Sequence, residues 1–315
     1  MDADALTIRP AVPGDRPAII DVAVRALRWR GDERDRAFFT WKHDDNPFGP
    51  SPAWVAVDDG EIVGFRTLLR WELTRRTDRL RMLRAVDTAS APEHQGRGIF
   101  RRLTLTAVAE LTAGRYDAVF NTPNPQSRAG YLKMGWSALG RPTLDVRPRG
   151  PLAVARMARS RVAAGKWSEP TTVGQPAGAV FGTTGVDSLL AGLPAPAGWT
   201  TPRTAAYLRW RYGFEPLNYR TVEVRDGLAV FRVRRRGPSR EVALCEWLAP
   251  RPDRRALGRL LRAAGDYLVG SDLGLAHGVV PVPRLGPVVT WRPLARPEVP
   301  GLADLSLRLG DLELF

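Results

Sequence analysis

The sequence predicts an α/β fold of two similar domains, each a mixed, mostly antiparallel central sheet flanked by helices. Two observations predict it. Strand and helix signals alternate in the first half in the order β-α-β-β-β-α-β-α-β, and motifs of this half return in the same order in the second half. The length of 315 residues also suits two domains with a core each.

Alternation, periodicity and turn residues predict the N-terminal elements. The apolar spacing of residues 13–29 indicates a helix, which Pro13 and Asp15 would start. The Asp-Asp-Gly turn at 58–60 lies between two apolar runs and therefore indicates a hairpin. Strands are predicted at residues 6–11, 54–57, 62–71 and 81–88.

A glycine-bearing turn and a helix follow these strands. Residues 92–98 lead into residues 99–111, in which leucine and valine recur at helical spacing. A short buried strand, a short helix and the start of another strand come next. These elements are predicted at residues 117–121, 127–134 and from 135 onward.

Three features of the first half return in the second. They are a triplet that begins with tryptophan and has a proline after it, a turn that ends in glycine, and a helix after the third strand. A repeat this long indicates a duplicated domain rather than a solenoid. The triplet occurs at 41–43 and 210–212, the turn at 57–60 and 224–227, and the helix at 99–111 and 254–269.

The repeat and the composition between its copies set the expected boundaries. Prolines and basic residues follow residue 148, and we expect the stretch at 156–166 to be a connecting helix rather than a membrane-surface helix. The expected domains are residues 1–148 and 176–315, with a linker at 149–175.

Composition excludes several kinds of site. The one cysteine, Cys245, cannot form an intramolecular disulfide and lies in an apolar run, so we expect a core residue. With three histidines and one cysteine, no metal site is expected. The acidic N-terminus is not a signal peptide and no apolar run is long enough to span a membrane, so we expect a cytoplasmic protein.

The net charge of +14 admits a nucleic-acid partner as an alternative, because basic surfaces attract polyanions. Of the 47 basic residues only three are lysine, however, and no recognition helix, zinc finger or aromatic platform is visible. We therefore expect a solvated arginine-rich surface without a specific nucleic-acid site.

The turn before residue 99 has the features of a phosphate-binding site. The first N–H groups of a helix have no partners within the helix, and the helix dipole is positive there. Glycines allow an anion to approach the backbone closely, and the turn carries Gly96 and Gly98. Side-chain donors from Gln95 and Arg97 would complete a pyrophosphate site.

At this point the first half resembles the GNAT superfamily of acyl-CoA N-acyltransferases. The turn matches the family pattern Gln/Arg-x-x-Gly-x-Gly/Ala, and the order of strands agrees. The likeness covers residues 4–148, and the tandem arrangement resembles the enhanced intracellular survival branch. The matching residues are Gln95, Gly96, Arg97, Gly98, Ile99 and Phe100 in the turn, then Asn124, Tyr131, Lys133, Gly135 and Trp136.

The resemblance implies an acetyl-CoA cosubstrate held between two separated strands. A bulge within residues 84–90 would separate them, and one free N–H there would polarise the thioester carbonyl. Pantetheine would pair with the backbone of Thr88, Ala89 and Ser90, while Gln95, Gly96, Arg97, Gly98, Ile99, Phe100, Asn124 and Ser127 would complete the cofactor site.

The resemblance also implies direct acetyl transfer to a primary amine in a ternary complex. Tyr131 is the candidate general acid for the leaving thiolate, and Asp87 on the separated strand is the first candidate for the general base. His43, if the acceptor lies over the loop at 41–47, Glu93 and the C-terminal carboxylate of Phe315 are alternatives for the base.

Several alternatives stay open on the sequence. Phe100 stands where the family usually has glycine or alanine, which raises a non-catalytic acyl-CoA sensor as the second interpretation. The second domain lacks the glycine turn, and we expect it to shape the acceptor groove or a dimer contact. The acceptor is a small-molecule or peptide amine of unidentified structure. Three tryptophans could stack on a sugar or lie in the core: Trp41, Trp54 and Trp71.

Overall fold

The computed structural model describes residues 6–112, 114–160 and 162–313 of the chain. It divides into two compact units, and the chain enters each unit more than once. The first unit consists of the described residues within Met1–Leu73, Asp78–Leu139 and Val289–Pro300, and the second of those within Thr74–Thr77, Gly140–Val288 and Gly301–Phe315.

The first part of the chain contains the strands and helices that the sequence predicts and, in addition, an unpredicted helix at Glu33–His43. Short 3-10 turns at Pro13–Asp15 and Pro92–His94 precede the first helix and the glycine turn. The strands are β1 (Thr7–Pro10), β2 (Ala53–Asp58), β3 (Glu61–Arg75), β4 (Asp78–Ser90), β5 (Ala118–Asn121) and β6 (Ser137–Gly140), and the helices are α1 (Arg16–Leu27), α2 (Glu33–His43), α3 (Ile99–Leu111) and α4 (Pro125–Lys133).

The remaining chain forms a second series of elements. Further 3-10 turns lie at Glu215–Leu217, Leu275–His277 and Leu302–Asp304. The strands are β7 (Leu144–Pro148), β8 (Gln175–Pro176), β9 (Arg220–Val224), β10 (Gly227–Arg236), β11 (Ser239–Leu248), β12 (Tyr267–Gly270), β13 (Val280–Val282) and β14 (Val289–Pro293), and the helices are α5 (Pro151–Arg159), α6 (Ala177–Phe181), α7 (Val186–Ala191), α8 (Ala205–Gly213), α9 (Arg254–Ala264) and α10 (Leu309–Leu312).

The strands form two seven-stranded sheets. The first has the order β1-β2-β3-β4-β5-β14-β6 and the second the order β13-β7-β12-β11-β10-β9-β8. Within each sheet one central pair is parallel, β4 with β5 and β11 with β12, while the other pairs for which a register is known are antiparallel. The fold is thus α/β with two mixed, mostly antiparallel sheets flanked by helices, as the sequence predicts.

The first sheet carries helices on both faces because side chains alternate along its strands. Ala56 of β2 joins the core beneath α3, which buries Leu103 and Ala107 there. The neighbouring Val55 faces the opposite side, where it meets α1 and Phe39 of α2. The two helical layers therefore reach the sheet from opposite sides, and both contribute to the site described below.

Two local predictions were wrong. The triplet at 41–43 forms the last turn of α2 rather than a loop; Asp32 caps this helix by accepting a hydrogen bond from the Asp35 amide. The helix predicted at 254–269 ends at Ala264, where Gly265 is extended and β12 begins two residues later. The sequence also gave no sign that β7 pairs in the second sheet and β14 in the first.

The structure decides two further expectations about buried residues. Cys245 is buried in the second unit, as predicted. Trp41, Trp54 and Trp71 are all buried, so they are core residues and not a platform for a sugar. Within the described residues no helix has the length and apolar character needed to cross a bilayer.

Candidate functional site

The strands β4 and β5 separate along the last part of β4. They pair in parallel from Met82 to Arg84, whereas β4 continues to Ser90. Because the pairing with β5 stops at Arg84, the two strands open a wedge beyond it. The predicted backbone partners of pantetheine, residues 88–90, lie on this part of β4.

The backbone of β4 is irregular at Asp87. Its φ of +30° lies in the left-handed region, which is uncommon for a residue other than glycine. Two threonine hydroxyls link β4 to β3 here by hydrogen bonds. Thr67 Oγ1 of β3 donates to the Asp87 carbonyl at 3.1 Å. Thr88 Oγ1 of β4 donates to the Phe65 carbonyl at 3.0 Å. The irregularity lies within residues 84–90, where the sequence predicts a bulge.

The glycine turn leaves an open site at the start of α3. Gly96 and Gly98 adopt φ values of +80° and +74°, and a Cβ placed on either would meet no atom within 4 Å. Gly98 is the N-cap of α3, and no side chain caps the helix. The uncapped amides therefore face open space that a Cβ would partly fill, so the turn fits a diphosphate such as that of acetyl-CoA.

Three predicted side chains of this turn lie in different environments. Gln95 is exposed. Arg97 Nη1 lies 2.5 Å from Asp58 Oδ2, so its guanidinium is already held in an ion pair. Ile99 is buried and faces β3, where its Cγ2 atom lies close to Gly64. An anion bound at the turn would therefore contact the backbone and not the side chain of Ile99.

Phe100 does not crowd the glycine turn. Its ring packs edge-on against Tyr131 of α4, with 5.3 Å between ring centroids. A Cβ on Gly130 would lie 3.0 Å from Phe100 Cε1, so the small residue in α4 makes room for the large one in α3. The departure from the family pattern thus fixes α4 against α3, and it removes the main observation in favour of a closed cofactor site.

Asn124 and Ser127 stabilise the start of α4. Asn124 Oδ1 accepts hydrogen bonds from the Ser127 amide at 2.8 Å and from its hydroxyl at 3.0 Å. This N-cap accounts for both residues structurally. The spacing from Asn124 to Tyr131, which the sequence singled out, therefore sets where the phenol of Tyr131 lies.

Tyr131 is buried, with 3% of its surface exposed. Its hydroxyl accepts a hydrogen bond from Arg66 Nη2 at 2.9 Å. Arg66 lies on β3, is fully buried, and was not among the predicted site residues. An isolated arginine within a strand carries no local pattern that would have identified it.

A charged cluster lies on the opposite face of β3. Lys42 Nζ is 2.7 Å and His43 Nε2 is 2.9 Å from the same oxygen, Asp87 Oδ2. His43 Nδ1 lies 3.0 Å from Ser51 Oγ. The side chains of Lys42, His43 and Asp87 are all at least nine-tenths buried, and the first two belong to α2. Lys42 is a second member of the site that sequence reasoning missed.

Burial and charge together set the ionisation of this cluster. Burial by itself would raise the pKa of Asp87, but Lys42 and His43 lower it well below the ordinary range of an aspartate. Burial lowers the pKa of His43 against the opposing effect of Asp87. At neutral pH the cluster therefore contains an aspartate carboxylate and a neutral imidazole.

The Tyr131 phenol and the His43–Asp87 pair lie on opposite faces of β3. Arg66 and Thr67 are successive residues, so their side chains point to opposite faces of the sheet. Arg66 reaches Tyr131 on one face, and Thr67 bonds the Asp87 carbonyl on the other. A phenol and an imidazole–carboxylate pair thus lie on either side of the position where β4 leaves β5.

The other candidate bases differ in their surroundings. Glu93 forms an exposed ion pair with Arg25 at 2.5 Å; its own backbone amide and Arg25 lower its pKa. Phe315 lies outside the described residues. In the part of the chain that the structure describes, no group of three or more histidine, cysteine, aspartate or glutamate side chains could hold a metal ion.

A known family and several solved structures resemble this chain. Residues 7–139 match the acetyltransferase (GNAT) domain family. No match was found among curated protein sequences. The family match ends inside β6 and so covers the glycine turn, the wedge and Tyr131.

Three solved structures each resemble the chain over 92% of its length, and the match covers almost three quarters of each solved chain. A GCN5-related N-acetyltransferase from Kribbella flavida is 15% identical, with a TM-score of 0.57 and 72% of its chain covered. A probable N-acyltransferase from Enterococcus faecalis is 11% identical, with a TM-score of 0.63 and 73% covered. Eis1 from Mycobacterium abscessus is 16% identical, with a TM-score of 0.53 and 73% covered. At these identities the likeness concerns the fold.

Proposed function

We propose that the chain is an acyl-CoA-dependent N-acetyltransferase, because residues 7–139 match the acetyltransferase (GNAT) domain family. It transfers an acetyl group directly to a primary amine of a small molecule or peptide within a ternary complex. One observation carries the proposal: Tyr131 on one face of β3 and His43 with Asp87 on the other flank the point where β4 leaves β5.

The wedge and the glycine turn would hold the cosubstrate. Backbone groups of residues 88–90 pair with pantetheine as a neighbouring strand would, because β5 no longer occupies that edge. The uncapped amides at the start of α3 bind the pyrophosphate, with Gly96 and Gly98 allowing close approach. Acetyl-CoA supplies the activated thioester.

The groups around the thioester then have separate roles in the transfer. A backbone N–H of β4 at Thr88 donates to the carbonyl oxygen and stabilises the charge that develops there. Tyr131 donates its hydroxyl proton to the departing sulfur. Alignment of amine and thioester within the wedge contributes by removing the entropy cost of bringing them together.

We assign the proton acceptor to His43 supported by Asp87, rather than to Asp87 alone. The lowered pKa of Asp87 makes its carboxylate a weak base at neutral pH. The imidazole of His43 is neutral there and lies 2.9 Å from that carboxylate, which would stabilise the imidazolium after proton transfer. Lys42 keeps Asp87 ionised in this role.

The first test is a calorimetric titration with acetyl-CoA. Gly98→Trp should abolish binding, because an indole would fill the open space at the start of α3. Gly274→Trp is the matched control: Gly274 also has a positive φ, +77°, and no atom within 4 Å of an added Cβ, but it lies in the second unit. Unchanged binding in Gly98→Trp, or equal loss in both variants, would contradict this cofactor site.

Transfer is tested next with a panel of amines and detection of free CoA thiol. Turnover that falls at least 10²-fold in Tyr131→Phe supports the proposal. Tight acetyl-CoA binding without transfer to any amine would instead identify a non-catalytic acyl-CoA sensor.

A further inference from the structure

Arg66 is a buried cation with no anionic partner in the described part of the chain. Its side chain is fully buried in β3. Among the described residues no carboxylate forms an ion pair with it, and its Nε and Nη1 atoms have no hydrogen-bond acceptor. A charge buried in this way is costly, and proteins normally pair it or use it.

The surroundings of Arg66 direct its charge to one group. The guanidinium carbon lies 5.7 Å from the ring centroid of Phe100 and 5.4 Å from that of Tyr131. The hydroxyl oxygen of Tyr131, 2.9 Å from Nη2, is the hydrogen-bond acceptor that the described residues offer it. Phe100 and Tyr131 thus enclose the cation, and its one polar contact within the described ranges is the oxygen of the proposed general acid.

The direction of this hydrogen bond matters. Arginine can only donate, so Tyr131 accepts through an oxygen lone pair. Its own hydroxyl hydrogen must then point away from Arg66 and is free to be donated elsewhere. The contact therefore fixes both the position of the phenol oxygen and the direction in which its proton is offered.

We propose that Arg66 is a positioning residue for Tyr131: it orients the hydroxyl towards the leaving sulfur and stabilises the phenolate that forms. This inference rests on the proposed function and deepens it. As the amine nitrogen forms its bond to the acyl carbon, it loses a proton to His43, and the C–S bond breaks with its electron pair going to sulfur. Tyr131 gives its hydroxyl proton to that sulfur, and the phenolate beside Arg66 later regains a proton from solvent.

A double-mutant cycle tests the proposal. Arg66→Met should lower kcat about 10- to 100-fold and leave the Kd for acetyl-CoA within a few-fold of wild type, because the residue acts on the acid and not on cofactor binding. In the Tyr131→Phe background the same substitution should cost almost nothing further. Equal losses in both backgrounds would overturn the proposal.

Arg84→Met is the matched control for removing a buried cation. Arg84 is equally buried on the adjacent β4, and its guanidinium lies between the rings of Trp71 and Phe120. Any loss it causes should be the same with and without Tyr131. Arg66→Lys should recover part of kcat, which a role in packing alone does not predict.

A structural readout separates this proposal from the proposed function. In crystals of the variants, the phenol oxygen of Tyr131 should leave its wild-type position in Arg66→Met and keep it in Arg84→Met, because Arg66 Nη2 is the donor that holds this oxygen. An unchanged position of the phenol oxygen in Arg66→Met would refute the role of Arg66 whether or not an amine acceptor has been found. Failure of transfer in wild type with a displaced phenol oxygen in Arg66→Met would refute only the proposed function.

Discussion

The two units share a sheet in which a central parallel pair separates, and they differ in what lies at the separation. In the first unit β4 pairs with β5 for three residues, and in the second β11 pairs with β12 for three residues. Past these pairs the first unit presents the wedge beside the glycine turn. In the second unit the C-terminal segment of the chain, residues 307–313, occupies the corresponding place.

Contacts at both ends define the path of this C-terminal segment. The Leu307 carbonyl accepts a hydrogen bond from Ser271, which directly follows β12. A Cβ on Gly310 would lie 3.2 Å from the Cys245 carbonyl of β11, so the backbone approaches β11 closely there. Arg211 Nη2 donates to the Gly310 carbonyl at 2.9 Å. The C-terminal segment thus crosses from one separated strand to the other.

The irregular positions of the two units correspond. Asp87 and Cys245 each lie five residues before a proline, and the pairing of β10 with β11 shifts register at Cys245. Cys245 cannot supply a carboxylate as Asp87 does, but Glu313 of the C-terminal segment supplies one to the second unit. The Glu313 carboxylate forms ion pairs with Arg232, at 2.8 Å, and with Arg234. The same sheet geometry therefore carries a lysine–histidine–aspartate cluster beside the wedge in one unit and an arginine–glutamate cluster completed by the C-terminal segment in the other.

The stoichiometry of acetyl-CoA binding tests this difference between the two units most directly. We expect one molecule per chain, because residues 307–313 fill the separation in the second unit. Calorimetry with a known active fraction measures it. Two equivalent sites, or one site that survives Gly98→Trp, would show that the second unit binds the cosubstrate.

Replacement of His43 tests the chemistry of the first cluster. His43→Gln should lower kcat/KM about 10²- to 10⁴-fold, since it removes the proposed proton acceptor. In wild type kcat/KM should fall as pH drops through the pKa of His43, which burial places below its ordinary value. The variant should lack this acidic limb.

His277→Gln is the control for that experiment. His277 is also buried, and its pKa is also lowered by burial, but it lies in the second unit and contacts the Leu273 carbonyl. A change in the acidic limb in this variant, or its persistence in His43→Gln, would contradict the assignment.

Removal of the Glu313 charge tests the second cluster. Burial opposes ionisation of Glu313, but Arg232 and Arg234 lower its pKa to about 2. A depressed pKa stabilises the fold above the unfolded value near 4.3, and this contribution is lost as pH falls towards 2. Glu313→Gln should therefore reduce the free energy of unfolding by about 3 kcal/mol at neutral pH and by much less near pH 2.

Denaturant titrations at several pH values measure this difference. Glu223→Gln serves as the control, because Glu223 is exposed on β9 of the same unit. A loss in Glu313→Gln that does not vary with pH would mean that shape rather than charge holds the C-terminal segment.

The smallest expected effect concerns the fit of Phe100 to α4. Alanine in place of glycine usually stabilises a helix by about 1 kcal/mol. Gly130→Ala should gain little of this, because its Cβ would lie 3.0 Å from Phe100 Cε1. Combined with Phe100→Leu, the gain should appear in the free energy of unfolding. A full gain in the single variant would show that Phe100 moves aside freely.

Local patterns predicted the parts of the site that are local in the chain. The glycine turn, the helix after it and the strand before it are contiguous, so composition and periodicity identified residues 81–111 correctly. Tyr131 and Asp87 were found through a family likeness, and their catalytic roles stay predictions. Asp32 capping Asp35 was a usable signal for α2, but the charged composition of that helix obscured its apolar face.

Long-range pairing accounts for most of what was missed. Lys42 and Asp87 meet only because α2 lies across β4, and no spacing rule links them. Arg66 faces Tyr131 from 65 positions away. The partners of Glu313 lie on β10, about eighty residues upstream, and a glutamate near the end of a chain gives no hint of burial. Such contacts depend on the folded sheet and not on neighbouring residues.

The exchange of strands between the sheets limits how this protein can be divided. Thr290 of β14 pairs with Asn121 of β5, whereas β7 pairs with β12. A truncated gene that ends at residue 148 would encode a first sheet with a bare β5 edge, and bare edges promote aggregation. A first sheet expressed alone would need β14 grafted onto it, by circular permutation or as a peptide added in trans.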